Sequence, residues 1–103
     1  MYEILRTDIA NEDLRSIIYY IADDSGSINI ALDYLDKIEK GIRQLSQFPY
    51  MGLMPKYKTL KMQNYRVLLI KMHLIFYKVN EINKSIIIYR ILSSKQEYIS
   101  LLK

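Results

Sequence analysis

The chain has 103 residues and a formal net charge of +4, and half of its residues are hydrophobic. This length predicts one domain spanning residues 1–103, with one modest core. The lack of cysteine excludes disulfides and thiolate zinc sites and is typical of a protein of the reducing cytoplasm. No apolar run approaches the roughly 18 residues of a membrane-spanning helix, and the first residues, which carry acids, do not resemble a signal peptide. We therefore expect a cytoplasmic protein without a membrane partner.

The charges are distributed unevenly along the chain. Residues 1–48 contain nine acids and five Lys or Arg, whereas residues 49–103 contain two acids and ten Lys or Arg. A basic half on a small protein suggests a polyanionic or acidic partner, such as nucleic acid, the ribosome or an acidic protein segment. The alternative explanation is a lysine-rich surface that is simply solvated.

The first half of the chain predicts a strand followed by two helices. Residues 2–7 form a short apolar run that we interpret as a strand of the main sheet. Apolar residues then recur at helical spacing, at Leu14, Ile17, Ile18 and Ile21. Asp8 or Asn11 is the expected N-cap of this helix, and residues 23–27 are expected to end it in a tight turn.

A second, longer helix is predicted from Ile28 to Leu45, with Ser25 or Ser27 as its N-cap. Gly41 lies inside it and costs about 1 kcal/mol relative to alanine, so we expect it to permit a close approach of another element. Two helices joined by so short a connection pack antiparallel. Their apolar stripes need a partner, and the sheet is the only large one available.

A loop with regularly spaced proline and glycine residues follows the second helix. Pro49, Gly52 and Pro55 punctuate residues 48–55, and basic residues interleaved with one aromatic come next, at Lys56, Tyr57, Lys58 and Lys61. This basic segment predicts either a contact with backbone phosphate or an exposed loop with solvated lysines.

Three apolar runs, at residues 65–70, 74–79 and 86–92, are rich in β-branched and aromatic residues and predict a meander of strands. Residues 93–103 predict a short terminal helix capped by Ser93 or Ser94. The fold class is therefore α+β: a small twisted antiparallel β-sheet packed against an N-terminal helix hairpin, in the order β-α-α-β-β-β-α.

Five motifs occur in the order and spacing of a known family. They are D-L-x-x-I-x-x-Y-I in the first helix, P-x-x-G-x-x-P in the loop, Y-R-V-L and L-I-F-Y-x-V in the next two strands, and R-I-L in the last. Over nearly its whole length the chain resembles the RelE/ParE superfamily of toxins from bacterial type II toxin–antitoxin systems. The resemblance implies a cognate antitoxin with an acidic tail, and operator DNA bound only through that antitoxin. It implies no cofactor and no metal.

The superfamily has two kinds of target. RelE-like members cut mRNA on the ribosome, which requires groups that activate the 2′-hydroxyl, stabilise the phosphorane and protonate the leaving oxygen. ParE-like members act on DNA gyrase. If this chain is a nuclease, the resemblance assigns catalysis to a set of six residues: Lys56, Lys58, Arg66, Arg90, Lys95 and Tyr98.

The chain departs from the nuclease pattern at two positions. Leu74 stands where an arginine is usual, and Ser93 stands where many members carry a histidine. The only histidine, His73, falls between two predicted strands, where a solvated turn residue is expected. Arg66 and Arg90 are either functional cations or partners of helix acids in ion pairs, and the strand tyrosines, Tyr65, Tyr77 and Tyr89, are expected in the core.

These departures favour the ParE-like branch: a toxin that inhibits growth by binding a cytosolic target, most simply gyrase, and that an antitoxin neutralises. The alternative is a ribosome-dependent mRNA endonuclease. A third possibility is a decayed toxin that keeps only the fold and antitoxin binding.

Overall fold

The first and last strands of the chain lie side by side in one four-stranded sheet. The computed structural model describes residues 1–102. Its elements in chain order are β1 (Glu3–Arg6), α1 (Asp8–Ser25), α2 (Ile28–Gln44), α3 (Lys58–Met62), β2 (Arg66–Ile70), β3 (His73–Asn80) and β4 (Ser85–Ser93). The sheet order is β1-β4-β3-β2, with β1 parallel to β4 and the other pairs antiparallel. The α+β prediction is confirmed, and β1 adds one parallel edge to the predicted meander.

The start of α1 differs from the prediction. Thr7, not Asp8 or Asn11, is the N-cap, because its hydroxyl lies 3.1 Å from the Ala10 amide and accepts that hydrogen bond. Asp8 is instead the first helical residue, where its charge suits the helix dipole. The same Thr7 hydroxyl donates to the carbonyl of Tyr89, so one side chain begins the helix and fastens it to β4.

The hairpin turn is tighter than predicted, since α1 continues through Ser25 before it stops. Gly26 ends the helix in the left-handed conformation, with φ 68°, which glycine adopts without steric cost. Ser27 then caps α2 by accepting a hydrogen bond from the Ile30 amide at 3.3 Å, as one of the two predicted caps. The C-cap of α1 and the N-cap of α2 are thus adjacent residues.

The main core lies between the hairpin and one face of the sheet. The helices contribute Leu14, Ile18, Ala31, Ile38 and Ile42, and the strands contribute Ile75, Tyr77, Ile86, Ile88 and Ile91. Gly41 allows the close approach that the sequence predicts, because a Cβ at this position would overlap the Cδ1 atom of Ile70 in β2. Over residues 1–102, none of the helices combines enough length with enough apolar character to cross a membrane.

A second core covers the opposite face of the sheet. It contains Leu60 of α3, Tyr65, Phe76, Leu92 and Leu102. The predicted terminal helix is wrong, because β4 extends through Ser93 and residues 94–102 form two short turns without a helix; Lys103 lies outside the described residues. Side-chain acceptors replace helical bonds there: Gln96 accepts from the Ser93 amide and Glu97 from the Ile99 amide.

A bulge in β4 changes which way its residues point. Phe76 pairs with Arg90 whereas Tyr77 pairs with Ile88, so Tyr89 is the extra residue. Its side chain packs on the second core beside buried Tyr65, and Tyr77 is fully buried in the main core. The predicted core placement of the three strand tyrosines is confirmed.

Candidate functional site

Arg66 holds the loop that precedes α3. Its Nη2 atom donates to the carbonyls of Gly52 at 2.6 Å and Tyr50 at 3.0 Å, and its guanidinium lies 5.1 Å from the centre of the Tyr50 ring. Within the described residues no acid pairs with it. Arg66 therefore acts as a clamp on backbone carbonyls rather than as a cation directed at a ligand.

The P-x-x-G-x-x-P motif is held by a buried tyrosine. The Tyr77 hydroxyl donates to the Pro49 carbonyl at 2.8 Å and accepts from the Gly52 amide at 3.0 Å. A Cβ at Gly52 would lie 2.5 Å from that hydroxyl and 2.8 Å from the carbonyl of Val67. Only glycine fits this close approach. The motif therefore has a structural role, because it binds the loop to the sheet through Tyr77.

Arg90 is bound by an acid of α1. Its Nε and Nη2 atoms donate to the two carboxylate oxygens of Asp13 at 2.8 and 2.9 Å, and both side chains are largely buried. Hydrogen bonding to Asp13 is the main cause of the raised pKa of Arg90. Of the two explanations that the sequence left open for Arg90, the ion pair with a helix acid is the one observed.

Three of the six nuclease candidates lie near one another on the α3 side of the sheet. Lys56 and Lys58 flank Tyr57, and the Lys56 ammonium lies 5.4 Å from the Tyr57 ring centre. The ring of Tyr98 meets Tyr57 edge to face at 5.6 Å and packs on Phe76 at 5.1 Å. Both lysines are exposed, so this corner presents two solvated cations over a layer of aromatic rings.

Lys95 does not join this corner, because it lies on the hairpin side of the sheet. The six candidates therefore do not converge on one site. One further strand cation lies outside the set of six: Lys78 of β3 is 4.5 Å from the ring centre of Tyr65 and 5.1 Å from that of Tyr89. The alternation of β3, with Lys78 opposite Ile87, was the signal that could have placed it on this aromatic face.

A cavity that we call the hairpin groove has a volume of about 690 Å³ and opens between the hairpin and one end of the sheet. Most of its lining is apolar. The lining residues are Ser16, Ile17, Tyr20 and Ile21 of α1, Tyr34 of α2, Met72, His73 and Ser93 at the end of the sheet, and Lys95.

His73 forms the polar centre of the groove. Its Nδ1 atom lies 2.6 Å from the Tyr34 hydroxyl, and the two rings meet edge to face with their centres 5.4 Å apart. Burial lowers the pKa of His73 and raises that of Tyr34. The prediction of a solvated turn histidine is therefore wrong: His73 is the first residue of β3 and is half-buried. No sequence pattern links it to Tyr34, because the two residues meet only after the hairpin folds onto the sheet.

Across residues 1–102, no group of three or more acids and histidines is placed to hold a metal ion. The candidate residues therefore comprise two arginines bound within the fold, Arg66 and Arg90, an exposed basic corner at Lys56 and Lys58, and the apolar hairpin groove.

Comparison with known proteins adds a family and two similar structures. Residues 4–98 match the family model described as the ParE toxin of the type II toxin–antitoxin system, parDE. A structure of the chromosomal ParDE system from P. aeruginosa superimposes with a TM-score of 0.76 at 21% identity, covering 92% of this chain and 98% of that chain. The RelBE2 toxin–antitoxin complex from Mycobacterium tuberculosis gives 0.60 at 15% identity, covering 89% and 96%. At such identities these structures show the fold alone. No curated protein sequence matches the chain significantly.

Proposed function

We propose, since the chain belongs to the ParE toxin family of type II toxin–antitoxin systems, that it arrests growth by binding DNA gyrase in the bacterial cytoplasm. A cognate antitoxin with an acidic tail neutralises it, and operator DNA is reached only through that antitoxin. The toxin acts by occupying its target and carries out no chemistry of its own.

The dispersal of the candidate catalytic groups is the observation that carries this proposal. Cleavage of RNA through its 2′-hydroxyl needs a base, an acid and cations around one phosphate. Here Arg90 is neutralised by Asp13 and Arg66 is bound to loop carbonyls, while Lys95 lines the hairpin groove and Tyr98 packs on Phe76 of the second core. Such an arrangement supports binding rather than cutting.

The charge distribution supports the antitoxin partner. Residues 49–103 contain ten Lys or Arg and only two acids. This half of the chain includes α3 and the three-stranded meander. A surface of this kind attracts and orients an acidic segment.

A second candidate function, ribosome-dependent mRNA cleavage, has one observation in its favour. The corner formed by Lys56, Lys58 and Tyr98 joins two exposed cations to a tyrosine, and cations over aromatic rings suit a single-stranded nucleic acid.

Expression of the chain without antitoxin separates the two functions. We expect growth arrest, induction of the SOS response and blocked supercoiling by purified gyrase, with intact mRNA by primer extension. The matched control is the same induction with a cognate antitoxin co-expressed, which should restore growth; a small acidic reading frame beside the gene is the place to seek that antitoxin. Cuts at codon positions in translated mRNA would instead establish the nuclease, and a complete lack of arrest would identify a decayed toxin.

A further inference from the structure

We propose that the turn between β3 and β4 is a surface of self-association, where the side chain of Ile82 enters a depression on a second copy of this chain and the partner's Ile82 enters the same depression on the first. The inference rests on the shape and charge of this end of the sheet and does not depend on the proposed target. We call residues 78–87, which comprise the end of β3, the turn and the start of β4, the finger.

The finger projects beyond one of the strands beside it. β3 and β4 stay paired as far as Asn80 and Ser85, whereas β2 begins at Arg66, opposite Tyr77. The last three residues of β3 therefore extend roughly 10 Å past the start of β2. At the tip, Ile82 is 94% exposed, more than any other large hydrophobic residue of residues 1–102. A branched apolar side chain in this position gains most when a partner covers it.

The turn holds the tip in a defined conformation. The Oδ1 atom of Asn80 accepts hydrogen bonds from the amides of Ile82 at 3.0 Å and Asn83 at 3.1 Å, which is the arrangement of an Asx-turn. Lys84 closes the turn in the left-handed conformation, with φ 52°. A tip that is ordered in this way loses little conformational entropy when it docks.

A depression that can receive such a side chain lies directly beside the finger. Its volume is about 470 Å³, which is more than one isoleucine side chain requires. The lining includes Gln63 and Asn64 between α3 and β2, Lys78, Ile87 and Tyr89 of the sheet, and Ile82 itself. The protruding residue and the depression thus belong to one surface. A surface that carries both complementary parts can pair with itself about a twofold axis, which is the geometry of an isologous dimer.

The charges of the finger are self-complementary as well. Residues 49–103 contain only two acids, and one of them, Glu81, precedes Ile82 at the tip. Its carboxylate accepts a hydrogen bond from the Tyr2 hydroxyl and lies 3.8 Å from the Lys84 ammonium, yet 54% of its side chain stays exposed. A surface built for an acidic partner gains nothing from a carboxylate at its tip, whereas a second copy of this chain can pair with it.

The matching cation lies in the depression. The Lys78 ammonium is held over the rings of Tyr65 and Tyr89, and the same lysine lines the depression. When Ile82 enters the depression of a second copy, the adjacent Glu81 approaches the partner's Lys78. The twofold axis repeats this ion pair, so the contact contains two of them.

Sedimentation velocity of the purified full-length chain tests the proposal. A contact made by one turn and one depression is smaller than a standard interface, so we expect a weak dimer with a Kd on the order of 10–100 µM. Ile82→Asp should weaken dimerisation by at least about 10-fold, as for an interface anchor. The matched control is Ile28→Asp, at an isoleucine that is 60% exposed at the start of α2, and it should change the Kd by less than about 2-fold.

A charge exchange tests the ion pair independently. Lys78→Glu places two carboxylates opposite each other in the dimer, and Glu81→Lys places two ammonium groups there, so each variant alone should dimerise at least about 5-fold more weakly. An equimolar mixture of the two variants restores both opposite-charge pairs and should form a heterodimer with nearly the wild-type Kd. Circular dichroism establishes that each variant is folded. Should Lys78→Glu fail to fold, the isoleucine pair decides the question, because Ile82 and Ile28 are both exposed.

Each outcome has a defined meaning. A wild-type chain that stays monomeric at the highest concentration overturns the inference, as does a dimer that Ile82→Asp and Ile28→Asp weaken equally. A mixture of Lys78→Glu and Glu81→Lys that remains monomeric overturns the ion pair between the copies. An Ile82→Asp variant that dimerises like the wild type but no longer arrests growth would assign the finger to the toxin's target, and this result also overturns self-association.

Discussion

At the scale of single residues, the Asp13 carboxylate forms an ion pair with Arg90 and also accepts a hydrogen bond from a backbone amide of β4. It accepts two hydrogen bonds from Arg90 and one from the Ile91 amide at 3.0 Å. This amide lies beyond Arg6, where β1 stops pairing with β4. Arg90, a catalytic candidate if the chain is a nuclease, therefore helps to anchor α1 to the part of β4 that β1 does not cover.

This arrangement predicts a large effect of Arg90 on stability. Arg90→Ala leaves the Asp13 carboxylate, which is 13% exposed, without its countercharge and should lower the free energy of unfolding by about 3 kcal/mol. Lys84→Ala, which removes an exposed lysine, should change it by less than about 0.5 kcal/mol. Urea denaturation measures both. An Arg90→Ala variant that keeps wild-type stability but loses toxicity would instead indicate that Arg90 has a functional role.

His73 makes stability depend on pH in a defined direction. Burial lowers its pKa below the ordinary value of 6.5, so the unfolded chain binds the proton more readily than the folded one. The stabilisation is complete above about pH 6.5 and is lost as the pH falls through the lower pKa of the folded state. Because the chain has one histidine, His73→Gln should flatten the slope of unfolding free energy between about pH 5 and 7. An unchanged slope would show that carboxylates alone cause it.

At the scale of elements, the contact between α2 and β2 depends on a missing side chain. Gly41→Ala adds about 1 kcal/mol of helix propensity but places a Cβ where Ile70 Cδ1 lies. We expect a net loss of about 1 kcal/mol in the wild-type background, because overpacking costs about 1–3 kcal/mol.

The double mutant isolates this contact. Ile70→Val removes the Cδ1 atom, so Gly41→Ala should become neutral or stabilising by up to about 1 kcal/mol in that background. Thermal or urea unfolding of the four proteins gives the coupling, which we expect to exceed about 1 kcal/mol. Additive effects would mean that Ile70 simply rotates away.

The elements differ in how well local pattern predicted them. The two hairpin helices follow from apolar periodicity, and the strands β2, β3 and β4 follow from short runs rich in β-branched and aromatic residues, because both faces of the sheet are covered. The five-residue helix α3 was missed, since one turn and a half carries no periodic signal. The terminal helix was wrongly predicted because Gln96 and Glu97 satisfy the backbone through their side chains, a competition that composition does not reveal.

At the scale of the whole molecule, the uneven charge of the sequence becomes a difference between layers. Residues 1–48 form β1 and the helix hairpin and carry the acids, whereas the basic half forms α3 and the meander. The family was accessible from the sequence because its motifs can be recognised without coordinates. The groove was not, because Tyr34 and His73 come from separate layers and share no local pattern.

The parallel pairing of β1 with β4 has a consequence for synthesis. Glu3 meets Ser85 and Arg6 meets Ile88, so the first strand of the chain remains without its neighbour until residues 85–88 have been translated. Pairing of segments so distant in sequence is entropically slow. Until then α1, which packs against β4, lacks its partner strand, and a chain truncated before β4 lacks the strand that lies between β1 and β3.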